Sequence, residues 1–109
     1  MKNKYNNEKE VVDNITFDSR KEANRYWELK LLLRAGEISD LRLQPKFTLQ
    51  EGFTKNGKRY QAIKYSGDFQ YTENGKVVIE DVKGVRTEVY KIKKKLFEKR
   101  HPDLTIKEV

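Results

Sequence analysis

The chain has 109 residues, contains no cysteine and carries a formal net charge of +7, from 24 basic and 17 acidic side chains. This length fits one domain with a modest core, and the lack of cysteine excludes disulfides, zinc–thiolate sites and cysteine nucleophiles. No segment approaches the ~18 apolar residues of a membrane span and no apolar leader is present, so we expect a cytoplasmic protein with no membrane partner. His101 is the single histidine, which argues against a histidine metal centre or a Ser–His–Asp triad. The excess of positive charge favours a polyanionic partner.

Residues 1–14 are polar and predict a flexible N-terminal arm before a single domain over residues 15–109. The first helix is predicted over residues 20–35, because Ser19 and Glu22 have the spacing of a capping box. Gly36 then provides a natural C-terminal stop. Helical periodicity places Glu22 at the end of an apolar stripe, so its side chain should lie at the edge of the core. The residues expected in or beside that core are Tyr26, Trp27, Leu29 and Leu33.

Alternating apolar and polar residues predict three strands, over residues 41–49, 59–71 and 76–83. The dipeptides Asn56-Gly57 and Asn74-Gly75 predict hairpin turns, and the second favours a two-residue type I′ loop between the second and third strands. Pro45 interrupts the first strand, which predicts that this strand lies near an edge of the sheet or carries a bulge.

Thr87 opens a second predicted helix that ends near Arg100, with Val89, Ile92 and Leu96 as its core-facing stripe. A last short strand is predicted over residues 104–108. The predicted order is helix, three antiparallel strands, helix and strand. The fold class is therefore α/β in the broad sense (α+β), with a mixed central sheet flanked by helices.

The most informative residues are Asp68 and Asp81, which lie on the two strands joined by Asn74-Gly75. A type I′ turn at that dipeptide places the two carboxylates directly opposite each other, with Cβ atoms about 4.5–5.5 Å apart. Like charges in that position destabilise a sheet unless something compensates them, and a divalent cation would do so. Lys83 follows Asp81 by two residues and so shares its face, whereas Glu80 should point away.

Hard oxygen ligands of this kind suit Mg²⁺ or Mn²⁺. A bound metal lowers the pKa of a water molecule and neutralises charge that develops on a phosphate. Lys83 is then placed to contact the phosphate or assist the attacking water, and Glu22 to complete the metal shell. Other interpretations remain open: Glu22 as a capping-box residue only, the two aspartates as solvated strand carboxylates, and Lys83 as their counterion.

The second helix follows Lys83 closely, and its first turns carry side chains that suit phosphate-backbone contacts. The candidate DNA-binding residues are Thr87, Tyr90, Lys91 and Lys94, with Gln44 as either a site residue or an edge-strand feature. A run of lysines on a helix is more commonly a solvated face, and its position directly after Lys83 is what favours DNA contact.

Asp68 with Asp81-Val82-Lys83, preceded by Glu22 on a first helix, resembles the active site of the PD-(D/E)XK nuclease superfamily. The wider pattern resembles small phage-encoded endonucleases that are similar to Holliday-junction resolvases. It comprises Phe17-Asp18-Ser19, Glu22-Ala23, Leu43-Gln44-Pro45, Asp68-Phe69, Asp81-Val82-Lys83-Gly84, Thr87 and Tyr90. Two departures are Gly67 in place of the motif proline and Asp81 in place of the commoner glutamate.

The resemblance implies a restriction-endonuclease-like core and Mg²⁺-dependent cleavage of DNA, including branched DNA. For a phage-encoded protein, this cleavage would take place in the cytoplasm of the host cell. Asp68, Asp81 and Glu22 would be the metal ligands, and Lys83 the motif lysine. A homodimer with two sites would help so small a domain to hold a branched substrate. Two rival functions remain: a non-catalytic DNA-binding module on a nuclease fold, and a phage structural or interaction protein whose basic surface meets an acidic protein.

Overall fold

The computed structural model describes residues 9–83 and 85–109. Within these residues the chain is a mixed α+β structure with two helices and ten short strands, as the sequence predicts at the level of fold class. In chain order the elements are β1 (Glu10–Val12), β2 (Ile15–Phe17), α1 (Arg20–Arg34), β3 (Ser39–Leu43), β4 (Lys46–Gln50), β5 (Phe53–Lys55), β6 (Lys58–Tyr60), β7 (Ile63–Ser66), β8 (Phe69–Glu73), β9 (Lys76–Asp81), α2 (Glu88–Arg100) and β10 (Ile106–Glu108).

The centre of the fold is a four-stranded sheet in the order β10-β9-β8-β3. Strands β3, β8 and β9 are antiparallel, and β10 joins β9 in parallel after the crossover through α2. The two faces of this sheet are covered by different elements. Helix α1 packs on one face over Phe69 and Tyr71, whereas α2 packs on the other over Ile79 and Ile106. The mixed sheet flanked by helices therefore agrees with the prediction.

Strands β3 and β8 continue as β4 and β7 beyond a bend, so the two strands predicted as continuous over residues 41–49 and 59–71 are each divided. The Gln44 N–H donates to the Asp68 carbonyl at 2.9 Å, and the Gly67 N–H donates to the Pro45 carbonyl at 2.9 Å. Gln44 takes a positive φ of 51° there. Pro45 lies at this bend, between β3 and β4, and β3 is an edge strand of the four-stranded sheet. Its position near a sheet edge therefore agrees with the prediction.

Helix α1 matches its prediction to within one residue. The Ser19 hydroxyl accepts a hydrogen bond from the Glu22 N–H at 3.1 Å, which is the expected N-cap. Gly36, with a φ of 79°, follows the last turn. Tyr26 is buried as expected, but the expectation for Trp27 is wrong, since its side chain is 49% exposed. One residue of helical rotation, about 100°, separates the two positions and carries Trp27 off the core face.

The predicted core stripe of α2 is wrong at Val89 and Ile92, whereas Leu96 packs against the core as predicted. Val89 and Ile92 are 62% and 57% exposed, whereas Tyr90 and Phe97 are buried. The Phe97 ring makes an edge contact with Phe47 at a centroid distance of 4.9 Å. Two aromatic side chains bury more apolar area than the branched aliphatic ones, and this difference sets the rotation of the helix.

The predicted N-terminal arm covers residues 1–14, of which 1–8 lie outside the described residues. Glu10–Val12 instead pairs with Ile15–Phe17 in an antiparallel hairpin that the sequence analysis did not identify. Its turn residues Asp13 and Asn14 have φ values of 52° and 63°. The Tyr26 hydroxyl donates to the Asp13 carboxylate at 2.8 Å, which ties this hairpin to α1.

Both predicted Asn-Gly turns are confirmed. Asn74 and Gly75 have φ values of 52° and 75°, as a type I′ turn requires, and Glu73 pairs with Lys76 across it. Asn56 and Gly57 adopt the same conformation at the tip of the β5–β6 hairpin. The chemistry of one dipeptide therefore sets the register between β8 and β9.

Replacing Gly75 with alanine is expected to lower the free energy of unfolding by about 1 kcal/mol, because an L side chain disfavours positive φ. A Cβ at Gly75 or at Gly57 meets nothing within 4 Å, so the backbone is the only cost at either position. Gly57→Ala is the matched control. It should change global unfolding less, because the strand residues beside Gly57 are all exposed. Equal losses in urea unfolding would contradict this account.

Candidate functional site

Asp68 lies at the bend, one residue before β8 begins. Its N–H donates to the Glu80 carbonyl at 2.9 Å, and its carboxylate accepts a hydrogen bond from the Val82 N–H at 2.7 Å. The β8–β9 ladder ends at Phe69 and Glu80, so the expected direct pairing of Asp68 with Asp81 is not formed. The register predicted from the turn is correct, but the bend releases Asp68 from the ladder before that pair is reached.

Glu22, in the first turn of α1, lies beside Asp68, and the two side chains share a hydrogen bond. Burial is the main cause that raises the pKa of both carboxyl groups, and the charges of Glu22 and Asp81 raise that of Asp68 further, to about 8. The hydrogen bond raises the pKa of Asp68 and lowers that of Glu22. Burial and neighbouring carboxylates therefore favour the protonated form of this pair.

Asp81 ends β9 and is 3% exposed, on the sheet face opposite to that of Glu80. The Tyr65 hydroxyl donates to Asp81 Oδ2 at 2.5 Å, and Lys83 Nζ lies 2.9 Å from Asp81 Oδ1. Burial, followed by this hydrogen bond, raises the pKa of Tyr65. The sequence analysis did not identify Tyr65, whose only signal was a tyrosine on an inward-facing strand position.

Lys83 lies on the same side of the sheet as Asp81, as predicted. Its N–H donates to the Val109 carbonyl at 3.1 Å, which continues the pairing with the C-terminal strand past the end of β9. Its Nζ also lies 3.8 Å from the centroid of the Tyr90 ring, a cation–π contact. The lysine is thus held in place by its main chain, by an aromatic face and by its ion pair with Asp81.

Two of the predicted DNA-binding residues at the start of α2 have structural partners. The Thr87 hydroxyl accepts a hydrogen bond from the Tyr90 N–H at 3.1 Å and forms the N-cap of the helix. Tyr90 is 7% exposed, and its hydroxyl donates to Glu108 at 2.7 Å. Both residues therefore build the helix and its packing, and Tyr90 places its ring against Lys83.

The remaining predicted DNA-binding residues are more accessible. Lys91 is exposed, with its Nζ 3.2 Å from Glu88, and the Lys94 side chain is 33% exposed and lies 3.8 Å from Glu108. Gln44 does not belong to α2 and lies at the bend between β3 and β4. The structure thus places the two lysines on α2 and Gln44 beside Asp68.

Residues of this cluster line two clefts. One has a volume of about 260 Å³, and Gln44, Glu22 and Asp68 line it together with Asp18, whose charge raises the pKa of Glu22 further. The other, of about 240 Å³, is lined by Lys83 with Lys21 and Arg86, among others. One cleft is therefore lined by acidic residues of the cluster and the other mainly by basic ones, among them Lys83, the partner of Asp81.

The opposite face of the sheet carries a buried ion pair that the sequence analysis did not identify. Glu80 is fully buried, and the Arg25 guanidinium donates to both of its carboxylate oxygens, at 2.8 and 2.6 Å. The Tyr71 hydroxyl also donates to Glu80. This confirms that Glu80 points away from Asp81, and it assigns Glu80 to the packing of α1 on the sheet.

The predicted metal ligands supply hard carboxylate oxygens, the donor type that Mg²⁺ and Mn²⁺ prefer. Among residues 9–83 and 85–109, no three or more His, Cys, Asp or Glu side chains are arranged as a ready cation site. Both oxygens of Asp81 already have partners, Tyr65 and Lys83. Burial and the charges of neighbouring carboxylates raise the pKa of Glu22 and of Asp68. By chemical type the donor set suits a divalent cation, which Asp68, Asp81 and Glu22 would hold.

Without divalent metal, raising the pH from about 5 to about 8 is expected to lower the free energy of unfolding. The pKa of Asp68 is raised from 3.8 to about 8, so the folded state holds this proton more tightly than the unfolded state does. Its contribution is therefore complete below pH ~4 and is lost as the pH rises through the folded value. With solvent screening, we expect a loss of roughly 2 kcal/mol.

Urea unfolding in EDTA at several pH values measures this loss. Asp68→Asn, which stays neutral at every pH, should remove most of it, and added Mg²⁺ should offset it in the wild type. A variant with the same pH profile as the wild type would contradict the assignment to Asp68.

A family model described as "Protein of unknown function (DUF1064)" matches residues 2–109. The chain belongs to the DUF1064 family. No curated protein and no solved structure matches it significantly. Neither described helix of this DUF1064 protein is long and apolar enough to cross a membrane. The family description assigns no activity, so the site geometry must carry the functional argument.

Proposed function

We propose that this DUF1064 protein is a metal-dependent endonuclease that hydrolyses DNA phosphodiester bonds. The observation that carries the proposal is the convergence of Glu22, Asp68, Asp81 and Lys83 at one end of the β8–β9 pair. Asp68 has a strongly raised pKa there, and Lys83 is held against Asp81 at 2.9 Å. Perturbed acids beside a fixed lysine at a cleft are typical of catalytic sites.

The topology supports a restriction-endonuclease-like core, which is part of the same proposal. Helix α1 precedes β3, β8 and β9, the three antiparallel strands of the central sheet, and α2 then leads to β10, which is parallel to β9. This is the element order that the resemblance to the PD-(D/E)XK superfamily implies. The sheet places the end of β9, with Asp81, beside the bend that holds Asp68.

The roles follow from the contacts. When bound, Mg²⁺ or Mn²⁺ would activate a water molecule and neutralise charge on the scissile phosphate. Asp68, Asp81 and Glu22 would hold the ion, and Tyr65 fixes the orientation of Asp81 through its hydroxyl. Lys83 Nζ, which now neutralises Asp81, would turn to the phosphate or to the attacking water once another cation takes over that task.

DNA is the partner that the surface favours. The net charge of +7 suits a polyanion, and Lys91 and Lys94 lie on the helix that follows Lys83. We also propose a homodimer with two sites for a branched substrate. Sedimentation in the presence of DNA tests this point, and a strictly monomeric profile would count against it.

The test is a cleavage assay with labelled four-way junction, flap and linear duplex DNA, each in Mg²⁺, Mn²⁺ or EDTA. The expected result is cutting that requires the metal, and the preferred DNA defines the substrate class. Salt-sensitive DNA binding without cutting in either metal would favour the non-catalytic binding module instead. The absence of both activities would favour the structural or interaction protein.

A further inference from the structure

The β5–β6 hairpin has no part in the site described above. It forms a two-stranded sheet of its own, and all of its strand residues are exposed. It connects β4 to β7, and so extends the same ribbon whose bend carries Asp68. A hairpin that buries none of its own residues contributes little to the core, which leaves its surface chemistry to be explained.

That chemistry is basic and aromatic. From Gly52 to Gly67 the chain contains no acidic residue. Its four basic residues are Lys55, Lys58, Arg59 and Lys64. In a chain that is 38% charged, an exposed segment that contains basic residues and no acidic ones has a locally positive surface.

The hairpin register determines which of these side chains share a face. Lys55 pairs with Lys58 and Phe53 with Tyr60, so strand alternation places all four side chains on one face. The Phe53 and Tyr60 rings stack at a centroid distance of 4.8 Å and are 42% and 40% exposed. Lys58 Nζ lies 5.1 Å from the centroid of the Tyr60 ring. One face is therefore an exposed aromatic pair with two lysines at its tip.

We propose that this hairpin is a DNA-docking arm, with Lys55 and Lys58 on backbone phosphates of the duplex that flanks the cleaved bond. This inference rests on the proposed nuclease function. A two-stranded ribbon fits the major groove of B-DNA, and lysines at its tip neutralise phosphates on the groove wall. The stacked aromatic pair stiffens the ribbon across its strands, so the lysines are presented in a fixed arrangement.

The short chain connection between the hairpin and Asp68 favours DNA over an acidic protein as the partner of the hairpin. Along the ribbon, Gly57 and Asp68 are separated by at most roughly 36 Å of extended chain. With ~3.4 Å of duplex per base pair, the arm would contact DNA within about one helical turn of the acidic cluster. A duplex bound at the carboxylates would then extend far enough to contact the basic face.

The experiment measures DNA affinity by fluorescence anisotropy in EDTA, with linear duplex and four-way junction, across a range of salt concentrations. Lys55→Gln/Lys58→Gln is compared with the matched control Lys76→Gln/Lys107→Gln, which removes the same charge at other exposed positions. Lys76 is an especially close control because it too directly follows an Asn-Gly turn. All four side chains lie on the surface, so folding should be unaffected, and circular dichroism checks this.

We expect the hairpin variant to bind more weakly than the control, and the slope of log affinity against log salt to fall by about 2. Phe53→Ser/Tyr60→Ser, which loosens the ribbon, should weaken binding in the same direction. A hairpin variant with the affinity and slope of the control would overturn the inference, even if the wild type cuts DNA in Mg²⁺. A wild type that binds DNA but does not cut it would refute the nuclease proposal alone, whereas one that does not bind DNA would overturn both.

Discussion

Asp81→Asn is expected to reduce metal-dependent DNA cleavage by about 100-fold or more without lowering DNA affinity. Asparagine keeps the size of the side chain and can still accept the Tyr65 hydrogen bond, but it loses the charge that a metal and Lys83 both require. Changes to residues that only support metal ligands cost about 10- to 100-fold, so loss of a ligand should cost at least as much. Single-turnover cleavage rates measure the effect.

The control for this substitution is Asp103→Asn, which removes the same charge from an exposed residue near the C-terminal strand. It should cut DNA at the wild-type rate. Lys83→Met provides the second variant, because its ammonium is the group that contacts Asp81 and faces the basic cleft. Cutting that survives both Asp81→Asn and Lys83→Met would refute the assignment of the site.

The second large effect concerns stability. Arg25→Met should lower the free energy of unfolding by about 3–5 kcal/mol, because it leaves the fully buried Glu80 carboxylate without its charged partner. The guanidinium makes two short hydrogen bonds to that carboxylate, so the substitution removes both an opposite charge and two hydrogen bonds. Urea unfolding at pH 7 measures the change.

A double variant separates the effect of the unpaired charge on stability from the effect of lost packing. Arg25→Met/Glu80→Gln removes both charges and keeps an acceptor for the Tyr71 hydroxyl, so it should regain most of the lost stability. A double variant as unstable as Arg25→Met alone would contradict the electrostatic explanation.

Local chemistry explains which parts of the fold follow from the sequence. The Asn74-Gly75 turn predicts the β8–β9 register, because type I′ geometry admits few residues and fixes which side chains pair. The Ser19 cap predicts where α1 begins. Strand alternation separates Asp81 from Glu80, and the structure places those two carboxylates in entirely different environments.

The remaining features depend on contacts between distant segments. The bend at Gln44 needs a positive φ that its residue type does not favour, and it changes how Asp68 meets Asp81. The phase of α2 follows from the burial of Tyr90 and Phe97 against strands far away in the chain. Tyr65 contacts Asp81 from a different strand, within the cluster that also contains Tyr90 and Phe97, and no short motif encodes that contact.

The measurement that tests the central claim most directly is Mn²⁺ binding by calorimetry or electron paramagnetic resonance near pH 8, which is close to the pKa of about 8 that Asp68 has in the absence of metal. Wild type, Asp68→Asn and Asp81→Asn would be titrated beside Asp103→Asn. The account predicts that wild type and Asp103→Asn bind Mn²⁺, with proton release, and that both site variants bind it far more weakly. No binding by the wild type at millimolar Mn²⁺, or equal binding by all four proteins, would contradict a metal-dependent nuclease.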